Sequence, residues 1–254
     1  MITFKKMYEN RKKEIEDFLQ LMEFMEEKEN NKVDGISEFS AFFHAEEKRI
    51  NLSYQAMINI LKSNISLMIY NIIEFTVANL IDSIYDEIRI KNLSYIDVNE
   101  CIKALWRKSM LKAASNPDAN FKTFLKKNEE LIVHILEKST LEMNSRNTLP
   151  GGNLDGVSIC ETMESHGITV ETHSKNYRPD ILRSIKTNRN NLAHGSVSFV
   201  DAVREDSILD IKNTKDFVVA FLEELIDSVS KYINGQGYKA SVDEQLYSPY
   251  VTSM

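Results

Sequence analysis

Turn-forming residues are scarce in this chain, and those it has are bunched. There are eight glycines and four prolines in 254 residues, below the usual ~7% and ~5%. Four of the glycines (Gly151, Gly152, Gly156, Gly167) and Pro150 fall between Ser145 and Arg178. A chain that turns so rarely elsewhere must be made of long elements, and long elements favour helices over many short strands. The expected fold class is therefore all-α, with one irregular segment ahead of Pro179.

Apolar spacing places the helices. Phe4, Met7, Ile15, Phe18, Met22 and Met25 recur at steps of three and four, with Arg11 as the polar exception, which predicts a helix from about Thr3 to Lys28. Glu29 to Ser37 reads as a loop, and a second helix is expected from Glu38 to Asn51. The stretch from Ser53 to Lys91 is apolar nearly all round, as in an element packed on several sides. Asn71, Glu74, Thr76 and Asn79 interrupt its most apolar part, so it reads as a buried central helix and not a membrane span. Further helices are expected over Ile96–Ala113, then from Ala119, after the Asn116-Pro117-Asp118 break, to Met143. Another should cover Val157–Ser165, with Asp155 as N-cap. The next runs from Pro179 to His194, where Gly195 supplies a left-handed terminus. Ser198 and Asp201 form a capping-box pattern expected to start one more. The last covers Asn213–Ile233, with Phe217, Val218, Phe221, Leu225, Ile226 and Val229 inward. Beyond Gly235 a polar, aromatic arm or disordered tail is expected.

Charge and cysteine usage narrow the function classes. The net charge is −7, which is the wrong sign for a protein that coats nucleic acid, so any RNA contact must be local. Cys101 and Cys160 lack a partner motif and fit a reduced, cytoplasmic setting. Lys5 and Lys6 are followed by no apolar run, so no secretory signal is expected. His166 and His173 flank a glycine-containing loop without the cysteines or carboxylates of a zinc site, and no metal or cofactor is expected. His44, His134 and Trp106 read as structural.

The chemistry concentrates in Pro179-Asp-Ile-Leu-Arg-Ser-Ile-Lys-Thr-Asn-Arg-Asn-Asn-Leu-Ala-His194. On a helix Ile181, Leu182, Ile185 and Leu192 form the core face, and Arg189 lies on its shoulder. A guanidinium there is partly buried and needs a partner or a ligand. Asn190 and His194, one turn apart, share a polar face with Arg183 and Lys186. Between His173 and Gly195 stand five basic residues (Lys175, Arg178, Arg183, Lys186, Arg189) and one acidic, Asp180. The difference, 5 − 1 = +4, suits a phosphodiester. A merely solvated basic face, with a histidine complementing the helix dipole, is the plainer alternative. On the central helix, Asn64, Asn71, Glu74 and Asp82 fall within about 80°. Glu74 or Asn71 pairing with Arg189 in a cleft and a structural ion pair are both open for that stripe.

Arg189-Asn190-x-x-x-His194 at a helix end, followed by Gly-Ser-x-Ser-Phe, resembles the signature of HEPN domains. Tyr70-Asn71 with Glu74 resembles the central helix of a defence-associated bacterial branch of that superfamily, and Gly152-Asn-Leu-Asp-Gly156 with His166-Gly-Ile168 resembles its insertion. The resemblance covers about Asn51 to Ile233. It divides the chain into an N-terminal helical extension (1–50), a HEPN-like helical domain (51–234) and a C-terminal tail (235–254).

The resemblance implies a HEPN-like helical bundle, with the irregular insertion before the motif helix, that forms a homodimer in which two motifs meet in one cleft. It also implies metal-independent RNA cleavage, as in toxin–antitoxin, abortive-infection or restriction-linked defence, with an antitoxin or defence-system partner protein. Arg189, His194 and Asn190 would then be catalytic. Lys186, Arg183 and Arg178 would bind RNA, and Glu74 and Asn71 would support the site. Helix geometry gives the dimer independent sense. Five steps turn Arg189 and His194 about 140° apart, so residues from two chains converge on one phosphate more readily than residues of one. In this reading the ribose 2′-hydroxyl attacks the adjacent phosphate. Imidazole, titrating near ~6.5, moves the proton, and the arginine fork stabilises the phosphorane. The alternative is a non-catalytic HEPN module that binds nucleotide, RNA or a partner protein.

Overall fold

The computed structural model describes residues 2–33, 35–39, 53–112, 121–151 and 153–241. The helix expected over Glu38–Asn51, with His44, lies beyond Phe39 outside the described residues, as does the Asn116–Asp118 break. The fold is all-α. In chain order the elements are α1 (Ile2–Asn30), β1 (Lys32–Val33), β2 (Ile36–Ser37), α2 (Tyr54–Ile90), a 3-10 turn (Tyr95–Asp97), α3 (Glu100–Leu111), α4 (Phe121–Leu136), α5 (Ser145–Thr148), α6 (Gly156–Ser165), α7 (Pro179–Ala193) and α8 (Ile208–Asn234). β1 and β2 form a two-residue antiparallel ladder where a plain loop was expected. The chain divides into two compact units: residues 1–76 with 174–222, and residues 77–173 with 223–254.

In the first unit, α1 buries Phe4, Tyr8, Ile15, Leu19 and Met22. This stripe is rotated from the expected one, since Met7 is exposed while Tyr8 and Leu19 are buried. At 100° per residue, Met7 and Met25 lie on the margin of the true face. Arg11 keeps its place there by lying over the Phe75 ring, 4.2 Å from its centroid, an attraction of about 0.5–2 kcal/mol. The facing core comes from Ile58, Ile65, Ile69, Tyr70, Ile72 and Ile73 of α2, from Leu182, Ile185 and Leu192 of α7, and from Ile208, Ile211, Val218, Phe221 and Leu222 of α8. Lys62 is buried as well. Its ammonium donates to the carbonyls of Asp206 (2.6 Å) and Arg204 (3.4 Å), and burial lowers its pKa.

Two capping boxes in this unit behave differently. Ser207 and Asp210 bond reciprocally and start α8, five residues before the expected Asn213. Ser198 and Asp201 also pair (2.5 Å), yet residues 199–205 run on as turns instead of the expected helix. The box satisfies donors at a helix start but does not supply the apolar face that makes a helix worth forming. Residues 198–206 offer only Val203 to the core.

The second unit takes the remainder of α2, burying Val77, Leu80, Ile81, Ile84, Tyr85 and Ile88. The helix expected from Ile96 begins instead at Glu100, where Asn99 accepts from the Ile102 N–H. Ser94 and Asp97 close a separate 3-10 turn, and Val98 pairs with Lys239. The helix expected to reach Met143 ends at Leu136. Lys138 turns left-handed at φ +52°, after which Leu141, Met143 and Ser145 are buried in alternation, the pattern of an extended segment. α6 matches its expected position, with Asp155 accepting from the Ser158 N–H. Part of the expected tail is docked: Tyr238 is fully buried and its carbonyl accepts from the Asn99 N–H.

α2 is long and apolar enough to cross a membrane by length and composition alone, and half of its most apolar window is buried inside the protein.

Candidate functional site

α7 starts at Pro179 and stops by design of its last residues. His194 is the C-cap, Gly195 takes φ +70°, and the Ser196 N–H returns to the Asn191 carbonyl at 2.9 Å. This six-to-one closure satisfies helix-end carbonyls and needs a residue without a Cβ at the left-handed step. Because the helix stays regular through Ala193, Arg189 and His194 keep their ~140° separation.

Arg189 is held from two sides. Its guanidinium carbon lies 5.0 Å from the centroid of the fully buried Tyr70 ring. Its Nη1 donates to the Asn190 Oδ1 at 3.0 Å, and its Nη2 is 4.0 Å from the Glu74 Oε2. Both the Arg189 and Glu74 side chains keep about 30% of their surface exposed: 29% and 30%. Tyr70 and Glu74 stand one turn apart on α2, so one face supplies an aromatic floor and an anionic stop. Sequence reasoning assigned Glu74 to this group and missed Tyr70. Its i, i+4 spacing to Glu74 was the available signal.

Other expected members separate. Asn71 is exposed, because it stands 100° round α2 from Tyr70. The polar stripe that suggested it dissolves into unrelated contacts. Asn64 donates to the Ile60 carbonyl at 2.8 Å, and Asp82 accepts from the Ser145 N–H and hydroxyl (2.7 and 2.8 Å). His194 is exposed at the end of α7, and Arg183 is exposed, while Lys186 is half-buried. Arg178 sits at the other end of the helix, about 16 Å from Arg189 along its axis. It is engaged with both Asp180 oxygens (3.1 and 2.8 Å) and lies 5.4 Å over Phe217. The positive charge of α7 is therefore offset locally, by Asp180 at its start and Glu74 near its end. Among the described residues no group of three or more histidine, cysteine or acidic side chains converges as a metal site.

His166 is placed very differently. It is fully buried, its Nδ1 lies 2.7 Å from the Thr162 carbonyl, and its Nε2 lies 2.6 Å from the Tyr85 hydroxyl. A carbonyl only accepts, so Nδ1 carries the proton and Nε2 accepts from Tyr85. Burial pushes its pKa down to about 4, against a smaller opposing pull from the Thr162 carbonyl. His134 packs against Trp106 with ring centroids 5.0 Å apart.

The all-α architecture and the Arg-Asn-x3-His helix end define a HEPN-type domain. More particularly, the chain belongs to the MAE_28990-like HEPN family, whose match spans residues 4–238 and so takes in α1. No curated protein and no solved structure shows a significant match.

Proposed function

We propose that the protein is an endoribonuclease that cleaves RNA without a metal, by attack of a ribose 2′-hydroxyl on the adjacent phosphate. The observation that carries this reading is the helix end itself. A half-exposed arginine is fixed between Tyr70, Glu74 and Asn190, and an exposed histidine stands one turn past that asparagine. Family membership supports a ribonuclease or nucleotide-binding module.

In the proposed step the 2′-oxygen bonds to phosphorus and the bond from phosphorus to the 5′-oxygen breaks. The products are a 2′,3′-cyclic phosphate and a 5′-hydroxyl. One His194 takes the 2′-hydroxyl proton. A second, from another copy of the chain, protonates the departing 5′-oxygen. Arg189 presents its donor fork to the phosphorane, where a preformed charge costs no reorganisation at the moment of reaction. Tyr70 and Glu74 restrict its rotamers, and Asn190 orients its Nη1. Lys186 and Arg183, and Arg178 once released from Asp180, contact neighbouring phosphates. The homodimer follows from the need for two imidazoles and from the ~140° between the two motif side chains in one copy. The biological setting we assign by resemblance is a cytoplasmic toxin or effector of a bacterial defence or toxin–antitoxin system, with no membrane partner.

The test is cleavage of RNA in excess chelator by the wild type and by His194→Ala, with the product ends identified. Cyclic phosphate and 5′-hydroxyl ends, lost in the variant, are the expected result. A metal requirement or 5′-phosphate ends would overturn the mechanism. RNA binding without cleavage would favour the non-catalytic module.

A further inference from the structure

A cavity of about 130 Å³ lies against α7 in the first unit, walled by α2 and α8 as well. One water needs only ~10–15 Å³ measured in this way, so there is room for a flat organic group. Ile69 of α2 and Asn188 of α7 both line it. They are the chain neighbours of Tyr70 and Arg189, about 100° round their helices from them, so the cavity lies on the next face of the α2–α7 contact and not in the guanidinium site itself.

Its lining is one-sided in charge. Asp206 and Asp210 are its charged residues, and no lysine or arginine lines it. The nearby Lys62 ammonium donates to two backbone carbonyls and also attracts the Asp206 carboxylate, whose pKa burial raises and Lys62 partly holds down. Asp210 is spent on the Ser207 amide and hydroxyl (2.9 and 2.6 Å), and the Ser66 hydroxyl on the Lys62 carbonyl. Ser184, Asn188, Thr214 and the Asp206 carboxylate, by contrast, make no side-chain hydrogen bond among the described residues. Ile185 and Ile211 supply apolar wall between them. A phosphate is repelled from such a place. A planar ring that sets adjacent N–H groups beside a carbonyl on one edge is matched by it, because a carboxylate accepts through two oxygens while amide and hydroxyl groups donate.

Among RNA bases only guanine sets two adjacent donors, N1–H and the N2 amine, beside a carbonyl acceptor. Uracil offers one donor between two carbonyls, and those would face the carboxylate. Adenine and cytosine place an acceptor nitrogen beside their amine. We propose that this cavity is a guanine-recognition pocket, with Asp206 accepting from N1 and N2 and with Asn188, Ser184 or Thr214 donating to O6. It rests on the ribonuclease reading, and it makes cleavage selective for the phosphate next to a guanosine.

Binding and cleavage separate the two readings. The full-length protein is titrated with guanosine, inosine and uridine, nucleosides that carry no phosphate for Arg189. Guanosine should bind most tightly, inosine less for want of the N2 amine, and uridine least. Asp206→Asn should erase the guanosine preference, with a loss of about 10–100-fold for a charged bidentate contact. Ser184→Leu, at an exposed position, fills the cavity and should abolish guanosine binding while the circular dichroism spectrum is unchanged. Cleavage of a mixed-sequence RNA should map to guanosine steps, and Asp206→Asn should scatter it. Equal binding of guanosine and uridine, with cuts at all four bases, overturns the pocket and leaves the ribonuclease standing. Guanosine binding that Asp206→Asn removes, in a protein that cuts no RNA, overturns the ribonuclease and keeps the pocket.

Discussion

His166 and His194 begin from the same local geometry. Each is a helix C-cap, with φ −92° and ψ −1° at His166 and φ −91° and ψ −1° at His194. Each is followed by a left-handed glycine, Gly167 at φ +82° and Gly195 at φ +70°. In both, the next amide closes back on the helix, Ile168 to Met163 and Ser196 to Asn191, each at 2.9 Å. The outcomes are opposite, since His166 is fully buried and His194 is exposed. The residue after the glycine marks the difference. Ile168 is buried and draws its helix end into the core, whereas Ser196 is exposed and leaves its own in water. An apolar residue at that position commonly anchors such a terminus. One helix-ending device thus yields a buried histidine held neutral and a histidine left exposed to water.

The largest effect should come from His194. His194→Ala removes an exposed side chain, so its melting temperature should match the wild type, while cleavage falls by about 10²–10⁴-fold, the usual worth of a positioned acid or base. Unchanged cleavage would break the comparison, because the exposed histidine would then have no chemical role.

His166→Ala should do the reverse. It leaves a void and strips the Tyr85 hydroxyl and the Thr162 carbonyl of a partner, at a cost of about 3–4 kcal/mol in urea unfolding. Cleavage per folded molecule should be preserved.

Acidity reads the same contrast. The buried imidazole titrates near 4 against about 6.5 when unfolded, so the folded state binds fewer protons between those values. Its contribution is therefore complete above pH ~6.5 and is lost as the pH falls toward 4, by about 3 kcal/mol in all. Equilibrium unfolding from pH 7 to 4 should show this slope, and a His166→Gln variant should flatten it. A slope that survives the substitution would place the titration elsewhere.

The smallest effect is expected at the glycines. Gly195→Ala meets no atom within 4 Å, so it should cost only the left-handed backbone penalty, about 1 kcal/mol. Gly167→Ala adds ordinary contacts with Asn99, Cys101 and Tyr232 at 3.6–3.7 Å and should cost much the same. A far larger loss at Gly195 would mean that the α7 terminus is packed more tightly than its surface suggests.

Several features were legible because they depend on near neighbours in the chain. Asp155 capping α6, Pro179 opening α7 and Gly195 closing it each need only residues a turn apart. Arg189 on the shoulder of the α7 core face followed from the helical period, and so did a pairing with Glu74 as one of two open roles. The misreadings share a cause. The Ser198 box, the rotated α1 stripe, the late start of α3 and the early end of α4 all turned on which apolar residues found a partner far away in sequence. The docking of Tyr238 beside Asn99 was invisible for the same reason.

Hydrogen bonds and steric limits within about five residues determined, from the amino-acid order alone, the all-α class and the place where the motif helix ends with its arginine and histidine. Tertiary packing decided what that helix end faces: the Tyr70 ring beneath Arg189, the carboxylate of Glu74 beside it, and the acidic cavity behind Asn188. Those depend on burial, which rewards contact between segments more than a hundred residues apart and leaves only a weak periodic trace in any one of them.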